Sequence, residues 1–298
     1  MRATIQLCTY DRARLLERVL DACFEQTVPA DAYEVVLIDD GSSDATPAVV
    51  ESARSRATCA FTAIRQENTG LARARNAGIA RASGERIIFI DDDVLPVPSF
   101  VAEHLRSHDA APEAIVRGAV VNTTSFEHLP PPVWTPRNYS GNYFWTSNVS
   151  APLATVRRLG GFTESFHEYG WEDIELGLRL RFSGTRAVFN RFALAFHYKP
   201  PPRAENVEGM VRQARAQGRT ARQLLDLHPH WRTILATGDD PVRRTMHRLV
   251  RAIGVPRLLA RAVGERESDR ALSAPALFAA RALATEAYYE ELDAAPKS

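Results

Sequence analysis

The first third of the chain alternates between two hydrophobic periods, and this alternation limits the folds that it can adopt. Short apolar runs that predict strands are each followed by a stretch whose apolar residues have helical spacing. A repeated strand-helix order predicts a doubly wound, mostly parallel α/β sheet with helices on both faces. The predicted strands are Thr4–Thr9, Glu34–Ile38, Ala60–Ile64 and Arg86–Ile90, and the predicted helices are Arg12–Gln26, Thr46–Arg56, Leu71–Ala82 and Ser99–His108.

The segments that follow these four strands are polar. They read TYDR at 9–12, DDGSSD at 39–44, QENTGLARARNAG at 66–78 and DDDVLP at 91–96. Ligands of open α/β sheets bind in the crevice beyond the carboxyl ends of the strands. We therefore expect acids, an aromatic ring and arginines from four strand ends to line one binding crevice.

The composition is that of an ordinary folded protein and narrows the range of partners. Hydrophobic residues make up 45% of the chain and charged residues 24%, and the net charge of +1 gives no overall attraction to nucleic acid. The cysteines, Cys8, Cys23 and Cys59, form no CxxC pair and indicate a reducing compartment. No signal peptide and no apolar run of bilayer length is evident. These features predict a cytoplasmic protein without a nucleic-acid partner, and they leave a homodimer open.

A triple proline at 200–202 predicts a boundary between two domains. Residues 1–200 are predicted to form the α/β domain, and residues 203–298 a helical C-terminal extension. The extension is rich in Arg, notably over Val242–Gly254. It is typical either of a helical cap packed on the α/β domain or of a helix that lies peripherally on a membrane surface.

Three adjacent carboxylates, Asp91, Asp92 and Asp93, follow the fourth predicted strand. A simple turn is one interpretation, because Asp is common in turns. Adjacent carboxylates repel one another, however, so a cation or several hydrogen-bond donors must offset their charge. Mg²⁺ or Mn²⁺ meets this requirement, since such ions bind carboxylates together with phosphate oxygens. The residues alone leave both interpretations open.

Five motifs in a fixed order give a more specific indication. They are TYDR, VVLIDDGSSDAT, NTGLARARNAGI, IIFIDDDVLP and GWEDIELGLRL. In order and spacing they resemble the family 2 glycosyltransferases of the GT-A fold, over about Ala3–Lys199. The resemblance implies a nucleotide-binding half at about 1–122 and an acceptor half at about 123–200. It further implies that Mn²⁺ or Mg²⁺ is the cofactor and that a hexose passes from a UDP-sugar to an acceptor hydroxyl.

The same resemblance assigns roles to the acidic cluster. Asp91 would face the ribose and contribute to the metal site, Asp93 would ligate the metal, and Asp92 would occupy the variable middle position of the nucleotide site. His197, after the Glu-Asp motif, would complete the metal site. Without the resemblance, a histidine at the end of an apolar run is more typical of a packed core or edge residue.

The first two strand ends are implied to bind the nucleotide. Thr9, Tyr10, Asp11 and Arg12 form the TYDR motif, in which the Tyr10 ring would stack on the base. Asp11 is equally typical of an N-cap for the helix that follows. The resemblance makes Asp40 the acceptor for the uracil imide N–H, and a uridine nucleotide is therefore expected.

The remaining predicted site residues come from later motifs. Arg75, near a helix N-terminus, would bind the diphosphate, although a solvated basic face is the simpler interpretation. The resemblance makes Asp173 the base that deprotonates the acceptor, with Glu172 positioning the acceptor. Trp171 would line the sugar or acceptor site. The helix dipole also favours acids in a first turn, and it would keep Asp173 ionised at neutral pH.

These parts imply a single displacement, which inverts the anomeric configuration. Two other functions stay open: a nucleotidyltransferase, and a sugar-nucleotide or glycan-binding module without turnover. A nucleotidyltransferase would usually carry a Gly-rich phosphate loop after the first strand, whereas this chain has CTYDRARLL. The aromatic loop at 127–145 reads either as an acceptor wall or as a self-packed loop.

Overall fold

A computed structural model describes residues 1–136, 141–252 and 271–294. The described chain divides into two compact units, 1–167 with 172–200, and 168–171 with the residues from 201 onward. The division falls inside the triple proline. The first unit contains the strands β1 (Ala3–Thr9), β2 (Tyr33–Asp39), β3 (Ala60–Arg65), β4 (Arg86–Phe89), β5 (Val94–Pro96), β6 (Ile115–Thr123), β7 (Val149–Pro152) and β8 (Ala187–Tyr198). Its helices are α1 (Ala13–Phe24), α2 (Thr46–Arg56), α3 (Leu71–Arg81), α4 (Phe100–Ala110), α5 (Leu153–Arg158) and α6 (Glu172–Phe182).

The eight strands form one sheet in the order β3-β2-β1-β4-β7-β6-β8-β5. Strands β1 to β4 are parallel neighbours, as are β6 and β8. Strands β7 and β5 run antiparallel to their neighbours. The prediction of a mostly parallel α/β sheet is confirmed, and because the first four strands share one direction, their carboxyl ends lie along one edge.

Two apolar layers hold this sheet between helices. Central strands are buried on both faces, and β2 is buried along its whole length, as expected for a parallel sheet covered on both sides. On one face, α1 buries Leu16, Val19 and Leu20 against the sheet. On the other, Phe162 and Phe144 meet Phe89 edge to face at 5.5 and 5.7 Å.

Helix α1 does not use Asp11 as its N-cap, which was one of the two interpretations of that residue. Arg12 occupies the N-cap position and its side chain makes no capping hydrogen bond. The Ala13 N–H instead donates to Asp44 Oδ2 at 3.1 Å. A residue from the DDGSSD loop therefore satisfies the free amide at this helix start, and Asp11 is available for another role.

The second unit is helical, which confirms the predicted helical extension. Its helices are α7 (Val207–Leu227), α8 (Trp231–Thr237), α9 (Pro241–Ala252) and α10 (Ala274–Ala294). Helices α7 and α10 approach closely at Gly218, where a Cβ would lie 2.3 Å from the Tyr288 carbonyl oxygen. None of the helices in the described residues combines the length and apolar content that a bilayer crossing requires.

Candidate active site

Asp93 lies between a histidine and an arginine at the edge of the sheet. Strand β5 begins one residue after it and pairs with β8, which sets Val94 opposite His197. His197 Nε2 lies 3.5 Å from Asp93 Oδ1, and Arg12 Nη1 lies 3.6 Å from Oδ2. Burial opposes ionisation of Asp93, but His197 and Arg12 outweigh it and lower the pKa of this carboxyl. Asp93 is therefore an anion at neutral pH.

Two of the three predicted metal ligands are brought together. Asp93 supplies a carboxylate oxygen, which suits Mn²⁺ or Mg²⁺ when phosphate and water complete the coordination, and His197 places an imidazole nitrogen beside it. Asp91 has other partners, because Ser147 Oγ donates to it at 2.6 Å and Arg75 Nη2 at 3.2 Å. Over the described ranges, no three His, Cys, Asp or Glu side chains are arranged to hold a metal. The structure thus offers a two-residue site that a phosphate-bound cation fits.

Asp92 points into the protein, where it supports the site. Its Oδ2 accepts a hydrogen bond from Thr9 Oγ1 at 2.8 Å, which joins the ends of β4 and β1. Both side chains are buried. Burial is the main cause that raises the pKa of Asp92 to about 7. Thr9 and Asp92 were predicted to contact the nucleotide, and the structure pairs them with each other.

Asp11 and Asp40 fasten the loops of the nucleotide half. Asp11 adopts a left-handed backbone with φ 51°, and its Oδ1 accepts from the Ser43 and Asp44 amides at 2.6 and 3.2 Å. Asp40 is buried and accepts hydrogen bonds from residues 66–70, including the Gly70 amide at 3.0 Å. The uracil role predicted for Asp40 thus competes with these loop contacts. Tyr10 is 49% exposed and free to receive a base.

Arg75 differs most from its predicted role. The sequence suggests a diphosphate ligand, but the guanidinium is buried and bridges protein groups. Its Nη1 lies 2.6 Å from Glu172 Oε1, and its Nη2 donates to Asp91 and to Thr146 Oγ1 at 2.7 Å. Burial alone would lower the pKa of Arg75, but Glu172 and Asp91 raise it. The charged guanidinium therefore couples the two acidic motifs instead of facing solvent.

Glu172 and Asp173 begin helix α6. Glu172 is buried, and its Oε2 has no hydrogen-bond partner among the described residues. Asp173 is partly exposed, and its Oδ1 accepts from the Ile174 amide at 2.7 Å. Burial, and then the charge of Glu172, raise the pKa of Asp173 to about 7. The predicted effect of the helix dipole is therefore outweighed, and Asp173 exchanges a proton near neutral pH.

The carboxyl edge of the sheet thus presents an acidic strand end and, linked to it through Arg75, a second acidic pair at a helix start. The family model for glycosyl transferase family 2 matches residues 4–163. The chain belongs to this family. The sequence motifs predict the same family.

The chain is also similar in sequence to proteins that are named glycosyltransferases. The chain is 33% identical over 226 residues to the validoxylamine A glucosyltransferase of Streptomyces hygroscopicus subsp. jinggangensis, covering 63% of this chain and 53% of that protein. The matched region spans about half the length of that protein and of the validoxylamine A glucosyltransferase of Streptomyces hygroscopicus subsp. limoneus.

Two solved structures share the fold. The mannosyltransferase PcManGT from Pyrobaculum calidifontis, in complex with GDP-Man and Mn²⁺, gives a TM-score of 0.65 at 22% identity, over 98% of this chain and 87% of that one. TarS 1–349 of S. aureus, in complex with UDP, gives 0.55 at 16% identity, over 98% and 90% of the two chains. Both structural similarities show that this chain has the GT-A fold.

Trp171 of this family 2 member lies in the second unit, unlike the sugar-lining position that the resemblance implies. Its indole Nε1–H donates to the Gln217 carbonyl at 2.9 Å, and its ring packs with Ala221 and Leu225. The backbone is left-handed at this residue, with φ 70°. Glu168 in the same segment forms an ion pair with Arg219 at 2.7 Å. Packing and hydrogen bonding within the helical unit therefore account for this side chain.

The described aromatic residues of the loop at 127–145 pack on the rest of the first unit, and these contacts do not lie within the loop itself. Phe144 is fully buried, and Trp134 packs on Phe189 with centroids 5.1 Å apart. The Tyr143 hydroxyl donates to the Thr185 carbonyl. The Trp145 ring lies 6.2 Å from that of His197, a predicted metal ligand. Tyr139 lies outside the described residues. Trp145 is thus the residue of this loop with a described ring contact to a predicted site residue.

Sequence reasoning missed Thr146 and Ser147. They hydrogen-bond Arg75 and Asp91, and both are buried. The only sequence signal was their position, as hydroxyl residues separated by Asn148 from the short buried strand β7. The pairing of β7 with β4 brings them to the acidic strand end.

Proposed function

We propose that this enzyme transfers a hexose from a UDP-hexose to an acceptor hydroxyl, with inversion at the anomeric carbon and with a bound divalent cation. The observation that carries the proposal is the Arg75 bridge, which holds the strand-end acids and the Glu-Asp pair in one site. A donor and an acceptor require both motifs at the same place, because the two substrates react directly with each other.

Asp93 and His197 would hold the cation. When bound, Mn²⁺ or Mg²⁺ supplies positive charge that stabilises the oxygens of the diphosphate. Arg12 provides further charge, since its half-exposed guanidinium lies 3.6 Å from Asp93. Arg12 thus replaces Arg75 as the side chain that contacts the leaving group, because Arg75 is buried in ion pairs.

Asp173 would act as the general base. Its carboxylate accepts the proton of the acceptor hydroxyl, while that oxygen attacks the anomeric carbon and the bond to the diphosphate oxygen breaks. The electron pair of the broken bond leaves with UDP. A carboxylate whose pKa is about 7 exchanges protons efficiently at neutral pH. The unpartnered oxygen of Glu172 is a hydrogen-bond acceptor that a second substrate hydroxyl can satisfy.

The choice of donor rests on the motifs and on the relatives. A relative at 33% identity is named a glucosyltransferase, and TarS was solved with UDP, so UDP-glucose is the first donor to test. GDP-mannose is the competing donor, because PcManGT binds it on the same fold. Tyr10 offers a base-stacking face for either nucleotide.

The test measures release of UDP or GDP from a panel of UDP-hexoses and GDP-mannose, with Mn²⁺, with Mg²⁺ and with EDTA. We expect release from a UDP-hexose that needs a divalent ion and is lost in Asp93→Asn and Asp173→Asn. The exposed Asp31→Asn variant serves as control and should keep full activity. Activity confined to GDP-mannose, or undiminished by EDTA, would contradict the proposal. UDP binding without turnover would indicate a binding module, and NMR of the product would report inversion or retention.

A further inference from the structure

Helix α9 has its polar side directed at its own unit. His247 stacks on Tyr289 with ring centroids 4.3 Å apart. Arg244 forms ion pairs with Asp239 and Asp293, and Arg251 lies 3.4 Å from Glu286 on α10. These contacts come from one side of the helix, because positions 244, 247 and 251 recur at spacings of three and four.

The opposite side of α9 is apolar and faces outward. Val242, Met246 and Leu249 are 73%, 65% and 61% exposed, and their spacing places them on one stripe. No side chain of α9 is buried. Helices of globular proteins usually show the reverse arrangement, with the apolar stripe inward. The stripe thus needs an occupant other than the helices packed on the polar side.

The charge of α9 identifies the chemistry of that occupant. The helix contains four Arg and no acid, and the sequence from 241 to 264 contains six Arg without an Asp or Glu. Arg248 has no ion-pair partner within the part of the chain that the structure describes. By helical spacing Arg243 and Arg248 border the stripe on its two sides, so pairing of this face with the same helix of a second copy would bring like charges together, which is unfavourable. An anionic, partly apolar surface matches both the stripe and its charge.

We propose that α9 lies flat on an anionic lipid surface, with Val242, Met246 and Leu249 inserted among the acyl chains. The flanking arginines would contact lipid phosphates while their aliphatic stems follow the apolar boundary. On α8, Trp231 is half-exposed and its ring stacks on Arg232 at 4.2 Å, a pairing suited to the interfacial region. This inference is independent of the donor and of the catalytic residues.

The test is flotation of the full-length protein with vesicles of phosphatidylcholine alone and of phosphatidylcholine with phosphatidylglycerol. We expect flotation with the anionic vesicles only, weakened at high salt because exposed charges are screened. Met246→Glu should reduce the bound fraction at least about tenfold, because it puts a charge among acyl chains. Ala30→Glu, an exposed position in the catalytic unit, makes the same charge change and should leave binding unchanged.

Three results would overturn the proposal: no flotation with anionic vesicles, equal flotation with both vesicle types, or full flotation of Met246→Glu. Analytical ultracentrifugation tests the alternative occupant of the stripe, which is a second copy of the chain. A dimer that Met246→Glu converts to a monomer would show that the stripe joins two copies of the chain. Circular dichroism and UDP-sugar turnover of each variant confirm that it is folded.

Discussion

Arg75 Nη1 lies 2.6 Å from Glu172 Oε1, joining two residues that are 97 positions apart in the sequence. The same guanidinium reaches Asp91 at 3.2 Å. An arginine fork can satisfy several acceptors in a fixed geometry, which a lysine ammonium does not. This buried link therefore sets the position of helix α6, which carries the proposed general base, relative to the acidic strand end.

Replacing Arg75 should strongly destabilise the protein. Arg75→Met leaves the buried Glu172 without its cation, so we expect the free energy of unfolding in urea to fall by about 3–5 kcal/mol. Arg73→Met is the matched control on the same helix. Arg73 is half-exposed and pairs with Glu164 at 3.3 Å, so its loss should cost at most about 1 kcal/mol. Equal losses in the two variants would show that Arg75 does not hold the site together.

Asp173→Asn should abolish proton acceptance without unfolding the protein. We expect kcat to fall about 10²–10⁴-fold, while KM for the donor changes little, because Asn keeps the shape of the side chain. Thermal unfolding should occur at the same or a higher temperature, since burial disfavours the charged form of Asp173. A variant with undiminished kcat would remove Asp173 from the mechanism.

Glu172→Gln should shift the pH dependence of the reaction. Burial and the charge of Glu172 raise the pKa of Asp173 to about 7, so kcat/KM of the native enzyme should rise with pH through about 7. Removing the charge of Glu172 lowers the pKa of Asp173, and the acidic limb should move to lower pH. Profiles of kcat/KM against pH for the two proteins measure this shift. An unmoved limb would mean that another group titrates.

Stability should fall at acidic pH because of a buried histidine network. His104 lies 2.8 Å from Ser150 Oγ and 2.9 Å from Asn148 Oδ1, and His108 lies 2.8 Å from the same serine oxygen. Burial lowers the pKa of His104 to about 4 and that of His108 to about 3. The unfolded chain therefore binds protons below about pH 6.5 that the folded protein does not.

Each of these histidines should cost about 1.4 kcal/mol per pH unit as the pH falls from about 6.5 towards 4. Urea unfolding measured across this range tests the slope. His104→Gln should reduce the slope of unfolding free energy against pH by about the contribution of one histidine. The same substitution at the exposed His128 should not change the slope. A slope that is the same in His104→Gln and in the native protein would contradict the assignment.

The local parts of the fold were predictable because they depend on neighbouring residues. Helix α2 begins and ends where the hydrophobic period predicts, and β1 differs from its prediction by one residue. Strand β5 was missed, since three residues carry too little pattern to show a strand. The residue that caps α1 could not be predicted either, because Asp44 accepts the free amide of this helix from a different loop.

The sequence indicated which residues gather at the site, but it did not indicate which of them contact one another. Asp93 and His197 meet as the motif resemblance implies. Arg75 and Asp92 turn inward, however, and Thr146 enters the site without a motif of its own. A charged side chain binds a ligand or supports its neighbours according to its burial and its hydrogen-bond or ion-pair partners. Motif spacing in the sequence predicts neither.

By itself, the sequence determined the strand-helix order, the family and the residue types gathered at the strand ends, because these follow from periodicity and local motifs. The tertiary structure alone decided which charges face one another. It buried Arg75 between Glu172 and Asp91, raised the pKa of Asp173, and turned the apolar side of α9 outward. The physical reason is that ion pairing, desolvation and exposure depend on distances between residues that are remote in the chain.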